Sequence, residues 1–465
     1  MQLAKSTLFR THNNRFQILC TIVLMLFVNC VFAQENSPYS RYGIGDMVPN
    51  TNIINRGMGG ISAGYSDVLS INFNNPASYS KFQTQPVPGS NKKIRSGRVL
   101  FDVGIDYNNR TLIAPNQPLN FSSNYAYFSY VQVGLPLNKK WGLSFGLRPV
   151  SRINYKINRA EELFDPITGK FIDSALTRFE GNGGAYLPTI GTGYAFGNLS
   201  IGASIGYLFG TKDVTTKRTL LNDSVNYQVS NYASRAYFGG LFYNLGAQYA
   251  ITLKKGKDKE TVLRLGVSGN LKQEHNASRD LLRGTFITGA NGDDERLDSV
   301  FEKTEESGKM IYPATYTAGF VIENKATTGK GWLFGVDYVA GQWNDFRFFN
   351  EVDAVQNSSQ IRVGGQIRPK PSTNYFSNVA YRAGFYAGTD YVKVEKELPL
   401  YGVTFGVSLP IGNYSRSSPG QFTMINLGFD FSKRGNNDNL LKENLFRFTA
   451  GLNFSDLWFN KRRYD

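Results

Sequence analysis

From about residue 98 onward, hydrophobic positions recur at every second residue over most of the chain. Val99, Phe101, Val103, Ile105 and Tyr107 alternate with Arg98, Asp102, Gly104 and Asp106, with Leu100 the one exception. Trp141, Leu143, Phe145 and Leu147 alternate with Gly142, Ser144, Gly146 and Arg148. The stretches 199–209 and 401–409 repeat the pattern. A period of two marks a strand with one apolar and one polar face. Fourteen such strands are predicted, near 98–107, 124–137, 141–151, 184–196, 199–210, 235–253, 261–271, 310–322, 331–340, 360–368, 378–386, 398–409, 421–431 and 445–454.

A soluble sandwich alternates too, so the connections have to discriminate. An even-stranded outer-membrane barrel alternates long outside loops with short periplasmic turns. Connections after odd-numbered strands run about 16, 32, 24, 38, 19, 11 and 13 residues, and those after even-numbered ones about 3, 2, 7, 8, 9 and 11. The contrast is clear in the first half and fades later. All four tryptophans, Trp141, Trp332, Trp343 and Trp458, fall at predicted strand ends, where an aromatic girdle would meet the membrane interfaces. The expected fold is all-β: a fourteen-stranded antiparallel transmembrane β-barrel occupying 98–465.

Composition sharpens this. The chain has 465 residues, 41% of them hydrophobic, with 48 Gly, 34 Phe and 27 Tyr. Beyond the N-terminus no apolar run is long enough to span a bilayer as a helix, which excludes a helical transporter. Residues 1–33 hold Lys5, Arg10 and Arg15, no acid, and the apolar run Ile18 to Val28 before Val31-Phe32-Ala33. These are the parts of a secretory signal peptide, with cleavage expected after Ala33. Both cysteines, Cys20 and Cys30, lie inside it. The exported chain then has no disulfide framework, thiolate nucleophile or sulfur metal site.

Residues 34–97 break the barrel pattern. They are Asn-, Ser- and Gly-rich, with Arg56-Gly57-Met58-Gly59-Gly60 and Asn74-Asn75-Pro76-Ala77, yet carry Tyr39, Tyr42, Ile44, Ile53, Ile54, Ile61, Ile71 and Phe73. That apolar content favours a compact plug, whose glycines allow tight turns against the wall, over a disordered leader.

Asn55-Arg-Gly-Met-Gly-Gly-Ile-Ser-Ala-Gly64 and Ile71-Asn-Phe-Asn-Asn-Pro-Ala-Ser-Tyr79 resemble the N-terminal hatch of the FadL/TodX-like family of outer-membrane barrels, which import fatty acids and aromatic hydrocarbons. The segments around Val336-Asp-Tyr338, Tyr381-Arg-Ala-Gly-Phe385 and Gly402-Val-Thr-Phe-Gly406 also look like that family's strands. The resemblance covers essentially the whole exported chain. It implies a fourteen-stranded barrel, a hatch over 34–97 carrying Arg56, Gly57, Gly59, Gly60, Asn75 and Pro76, and a lateral opening through which apolar ligands leave. The start Ser-Pro-Tyr-Ser-Arg-Tyr-Gly at 37–43 looks like Bacteroidota versions, among which relatives also serve as non-transport subunits. No ligand-binding position of the family can be matched here.

Candidate chemistry is sparse, and the chain reads as a non-enzyme without a cofactor. His275, the one histidine beyond the leader, sits beside Glu274 in the longest predicted outside loop and is expected to be solvated. The carboxylates Asp293, Asp294, Asp298 and Glu302 are a weak calcium candidate, because an EF-hand-type loop needs a glycine that this spacing does not supply. Gly191-Thr192-Gly193 lies within a strand and reads as backbone crowding rather than a phosphate loop. The formal charge of +15 fits attraction to outer-membrane lipid headgroups better than nucleic acid, from which export removes the chain. Arg148, Arg264, Arg362, Arg382 and Arg447 are expected to face the lumen with Asp102, Asp106, Asp337 and Asp430. They would lock the barrel to the hatch more readily than attract a carboxylate ligand. Two functions follow for an outer-membrane barrel reached by Sec-type export. One is passive uptake of apolar molecules by lateral release, with an apolar ligand. The other is a non-transport subunit of a secretion or protein-assembly complex, with other outer-membrane subunits as partners.

Overall fold

Each period-two stretch forms a strand, and the strands pair into one closed ring. The computed structural model describes residues 37–86, 94–115, 120–221, 227–256, 259–288, 294–326, 330–411 and 422–458. The expected signal peptide and Asp293 lie outside them. An N-terminal region holds β1 (Asp46–Met47), the helical turn α1 (Ile53–Arg56) and β2 (Thr84–Pro86). Next come β3 (Ile94–Ile113), β4 (Asn120–Asn138), β5 (Trp141–Phe164), β6 (Phe171–Phe196), β7 (Leu199–Leu220), β8 (Val229–Lys255) and β9 (Lys259–Asn270). β10 (Gln273–Thr288), β11 (Asp294–Tyr312), β12 (Thr315–Ala326), β13 (Gly331–Gly341) and β14 (Arg347–Phe348) follow. The chain ends with β15 (Ser358–Arg368), β16 (Ala380–Val394), β17 (Lys396–Ile411), β18 (Phe422–Arg434) and β19 (Lys442–Trp458).

Fourteen of these make the wall, all antiparallel to their neighbours: β3 to β9, β12, β13 and β15 to β19, with β19 pairing back onto β3. Alternation sorts the faces as the sequence demands. On β7, Ile201, Ile205 and Tyr207 are exposed outside while Ser200 is buried inside; on β17, Tyr401, Val403 and Phe405 point out while Thr404 and Ser408 point in. An apolar exterior over a polar interior is the surface of a membrane-crossing barrel, and closure leaves every backbone group at that depth able to pair. The exception Leu100 faces inward and packs with Ile71, Tyr79 and Phe82 of the N-terminal region.

The wall is uneven in height. β5 to β8 run 24, 26, 22 and 27 residues, where roughly 9–11 residues suffice to cross a bilayer. The connection expected to be a 32-residue loop is largely strand, closed by a turn at 165–170, because β5 and β6 stay paired to Phe164–Phe171. The longest expected loop likewise carries β10 and β11, a hairpin continuing β9 and β12 upward. Above the membrane the ladder continues with one face still covered: Ile153 and Tyr155 of β5 and Asp173, Ala175 and Thr177 of β6 are buried.

His275 sits in β10 and is 1% exposed, its ring edge-on to Tyr312 at 6.3 Å, not solvated as expected. Trp343 also departs from expectation. Trp141, Trp332 and Trp458 are exposed at strand ends, but Trp343 is 3% exposed. The connection 342–357 folds inward instead of forming a wet loop. There Trp343 and Phe346 join Tyr39, Ile44, Met310, Tyr312, Tyr391 and Leu398 in an apolar cluster that caps one mouth of the ring.

Two breaks interrupt the wall's ladder. β4 and β5 share rungs only from Val131–Leu147 to Asn138–Trp141. Beyond them comes Pro149, which has no N–H to give. The vacated edge of β5 is taken by the N-terminal region: Asp46 and Met47 pair with Arg152 and Ser151. The Val48 and Ser37 amides donate to the carbonyls of Val150 and Asn154 at 3.0 and 3.1 Å. Val48, Tyr125 and Tyr127 pack beside this seam, with Arg152 over both tyrosine rings. The second break lies where β8 leaves β9 at Leu245–Gly269 and meets β10 at Gly239–Asn276. The Gln273 side chain fills it, accepting from the Tyr243 amide at 3.0 Å and donating to the Tyr243 carbonyl at 3.2 Å.

Candidate functional site

The interior of the ring is occupied by residues 37–82, whose backbone reaches the wall in many places. Side chains would block that approach, and the wall supplies glycines. A Cβ at Gly364 would lie 2.1 Å from the Met58 carbonyl oxygen, one at Gly266 2.0 Å from that of Ala63, and one at Gly202 2.4 Å from the Pro76 carbonyl carbon. Gly193 meets the Pro76 oxygen in the same way at 2.4 Å, so the strand glycines read as crowding positions do relieve crowding.

The local turns of this segment follow from its Asn and Gly content. Asn52 caps α1 by accepting from the Asn55 amide at 2.9 Å. Asn75 caps the 3₁₀ turn Pro76–Lys81, accepting from the Ala77 amide at 3.1 Å and donating to the Ala63 carbonyl at 2.7 Å. Both are N-cap roles that suit a short amide side chain. Gly57 ends α1 with its Cα against Gly406. Gly59 has φ +68°, and its amide donates to Thr404 Oγ1 at 2.8 Å.

The expected lumen charges all point inward, but they do different things. Asp337 Oδ2 accepts from the Ser62 and Ala63 amides at 2.6 and 2.8 Å. Arg362 and Arg264 donate to the Gly60 and Gly64 carbonyls, each at 3.2 Å, and Arg264 also pairs with Glu323 at 2.6 Å. Asp102 accepts from the Tyr130 hydroxyl at 3.0 Å, and that hydroxyl in turn accepts from the Ile53 amide at 3.2 Å. Arg382 and Arg447 stay within the wall, on Gln366 and Ser408 and on Asn108 and Asp430. Arg148 makes none of these bonds; its guanidinium lies 5.5 Å over the Phe73 ring.

A second cluster is absent from the sequence-based set. Arg110 bonds Asp46 and, at 2.6 Å, Glu443; Arg434 reaches Asp46 at 3.0 Å and Asp390 at 2.8 Å. Burial alone would raise the Asp46 carboxyl, but the Arg110 and Arg434 guanidiniums outweigh it and hold it below the ordinary carboxylate range. Arg110, Arg434 and Glu443 keep the inward phase of Asp106, Asp430 and Arg447, just past the ends assigned to their strands. Carrying the period a few residues further would have found them.

These groups line a cavity of about 330 Å³ between residues 46–51 and 74 and the wall. Its lining mixes these charged groups with apolar side chains such as Phe242, Tyr312, Leu400 and Leu445.

The sequence matches the BamG family over residues 16–465. The chain belongs to the BamG family. No curated protein matches it. Among solved structures, this BamG-family chain is similar to the CymD monoaromatic hydrocarbon channel (14% identity, 88% of this chain and 99% of that one, TM-score 0.49). It is also similar to the Pseudomonas putida toluene transporter TodX (16%, 90% and 100%, 0.48) and to a Pseudomonas aeruginosa FadL homologue (12%, 89% and 98%, 0.49).

Of the carboxylates weighed for calcium in this BamG-family chain, Asp293 lies outside the described residues. Asp294 opens β11, Asp298 accepts from the Ser299 amide, and Glu302 is taken by Arg296 at 2.6 Å. Among the described residues no group of three or more His, Cys, Asp or Glu could hold a metal ion.

Proposed function

We propose that this chain is an outer-membrane barrel that serves as a docking subunit of an outer-membrane secretion or protein-assembly complex, with residues 34–97 as a fixed hatch. The observation that carries this is how the hatch is fastened. Arg56 is ion-paired to Asp106, Asp46 to Arg110 and Arg434, and hatch amides are bound by Asp337 and Thr404. Removing one partner of such a buried pair costs about 3–5 kcal/mol, so a hatch that shifts at each passage would break several at once. The tall sheet of β5 to β8 with the β10–β11 hairpin gives a partner a surface beyond the bilayer. Its tips carry exposed Phe164, Ile167, Phe171, Leu297 and Val300.

Gentle purification from native membranes under reversible cross-linking, followed by mass spectrometry, tests this reading. A stoichiometric protein partner that cross-links to 160–175 or 295–302 is the expected result. A solitary barrel that carries a bound apolar molecule would reject it. The second reading, uptake of apolar molecules with lateral release, is favoured by the seam between β4 and β5, where the hatch and not a neighbouring strand completes the wall.

A further inference from the structure

Of the guanidiniums that line the interior cavity, four have a carboxylate close by. Arg56 has Asp106 at 2.8 Å, Arg110 has Glu443 at 2.6 Å, Arg434 has Asp390 at 2.8 Å and Arg447 has Asp430 at 3.2 Å. Arg362 donates to Gln360 Oε1 at 2.6 Å and to the Gly60 carbonyl. Arg148 stands apart. Among the described residues it has neither an ion pair nor a hydrogen bond, and its only close partner is the face of Phe73. The strand phase that puts Ser144 inside puts Arg148 there too, directed into the cavity beside Phe242, Asn244 and Tyr312. The Tyr312 hydroxyl likewise has no hydrogen-bond partner among the described residues, while its ring is held by Phe242 at 5.6 Å and Trp343 at 5.9 Å.

A cation enclosed without a counter-charge is costly, and the cost falls when an anion reaches it. A planar guanidinium with all its donors free suits an oxyanion, which it can bind through two parallel hydrogen bonds. A hydroxyl close by can add a third.

We propose that this cavity is a binding site for a small oxyanion, a carboxylate or phosphate, held by Arg148 and the Tyr312 hydroxyl. The anion supplies the counter-charge that Arg56, Arg110, Arg434 and Arg447 get from aspartate or glutamate. Asn74 and residues 46–51 of the N-terminal segment form one side of the same cavity, so the bound anion bridges that segment to the wall. The site does not depend on the docking reading, because a barrel of either function can hold it.

The test uses the full exported chain in detergent, exchanged into chloride and then titrated with acetate, benzoate or inorganic phosphate. Thermal unfolding and calorimetry are read together, with Arg148→Met and Arg382→Met compared with the natural chain. The expected result is saturable binding of at least one oxyanion with a rise in Tm. Arg148→Met weakens that binding at least tenfold, and Arg382→Met, a wall-bonded guanidinium, leaves it within twofold. Tyr312→Phe weakens it less than Arg148→Met does. Preference for acetate and benzoate over phosphate assigns a carboxylate; the reverse assigns phosphate. Binding that is equal in the natural chain and Arg148→Met overturns the site, as does the absence of saturable binding by all three anions up to tens of millimolar. Should Arg148→Met fail to fold, Arg148→Lys is read instead, and undiminished binding there together with an unchanged Tyr312→Phe rejects the proposal.

Discussion

Nη1 of Arg56 reaches both carboxylate oxygens of Asp106, at 2.9 and 2.8 Å, and Asp106 is entirely shielded from solvent. The pair joins the N-terminal segment to β3. Arg56 also donates to the Thr51 and Pro49 carbonyls at 2.7 and 2.9 Å, so the same side chain folds its own segment. Arg56→Ala is expected to destabilise the barrel by about 3–5 kcal/mol, because it strands a buried carboxylate. Arg56→Met combined with Asp106→Leu should recover part of the loss. Urea unfolding of detergent-solubilised protein checks this, and additive single-mutant costs in the double mutant would refute the coupling.

Gly59 tests the glycine contacts. Its φ of +68° already disfavours a side chain, and a Cβ there would lie 2.7 Å from the Val363 carbonyl oxygen and 2.8 Å from that of Phe385. Gly197 has nearly the same φ, +63°, in a hairpin turn with nothing within 4 Å. Gly197→Ala should therefore cost about 1–2 kcal/mol and leave assembly intact. Gly59→Ala should lose the folded, heat-modifiable species on gels. Equal behaviour of the two variants would show that backbone conformation, and not contact with the wall, governs the site.

The tryptophans divide by position. Trp343→Ala removes the centre of the apolar cap and should cost about 3–5 kcal/mol, whereas Trp332→Ala at the exposed rim should cost under half that. With the other three replaced by phenylalanine, Trp343 emission should be blue-shifted and resist aqueous quenchers. Ready quenching by iodide would mean that the mouth is open.

Acid sensitivity follows from Asp46. Its carboxyl is held below the ordinary range in the folded chain, so its contribution is fully present above the unfolded value of about 3.9. That contribution is lost as pH falls through the folded value. Asp46→Asn should lower stability at pH 7 and flatten the decline below pH 4. An unchanged acid limb in the variant would place the titration elsewhere.

Much of the fold was legible because the wall obeys one simple rule. Each of the fourteen predicted stretches overlaps a wall strand, the one at 310–322 also taking in the end of β11, and Asp102, Asp337 and Arg264 are buried inside as their phase requires. The rule fails where its cause is missing. β10 and β11 rise beyond the bilayer, so Ser307 and Lys309 carry no alternation although both sit in the ladder. Trp343 stood at a strand end in sequence, but the direction taken by its connection depends on Tyr391 and Tyr312, which are remote in the chain. Arg110 and Arg434 fell just outside the assigned strand ends, and only their shared partners Asp46 and Glu443 bring out the cluster. Asp106 was recognised as a lumen charge, yet no sequence rule named Arg56 as its mate.

Whether the hatch stays fixed can be measured directly at Ser80 and Ser200. Their hydroxyl oxygens lie 3.0 Å apart, one on the N-terminal segment and one on β7, and both cysteines of the chain, Cys20 and Cys30, fall in the expected leader. Ser80→Cys combined with Ser200→Cys should form a disulfide on oxidation, because the two side-chain ends already meet. Partner recovery from native membranes and uptake of a fluorescent apolar probe are then compared between the oxidised and reduced forms. With a fixed hatch, both quantities are expected to be the same in the two forms. Uptake that the reduced form supports and the oxidised form blocks would contradict it.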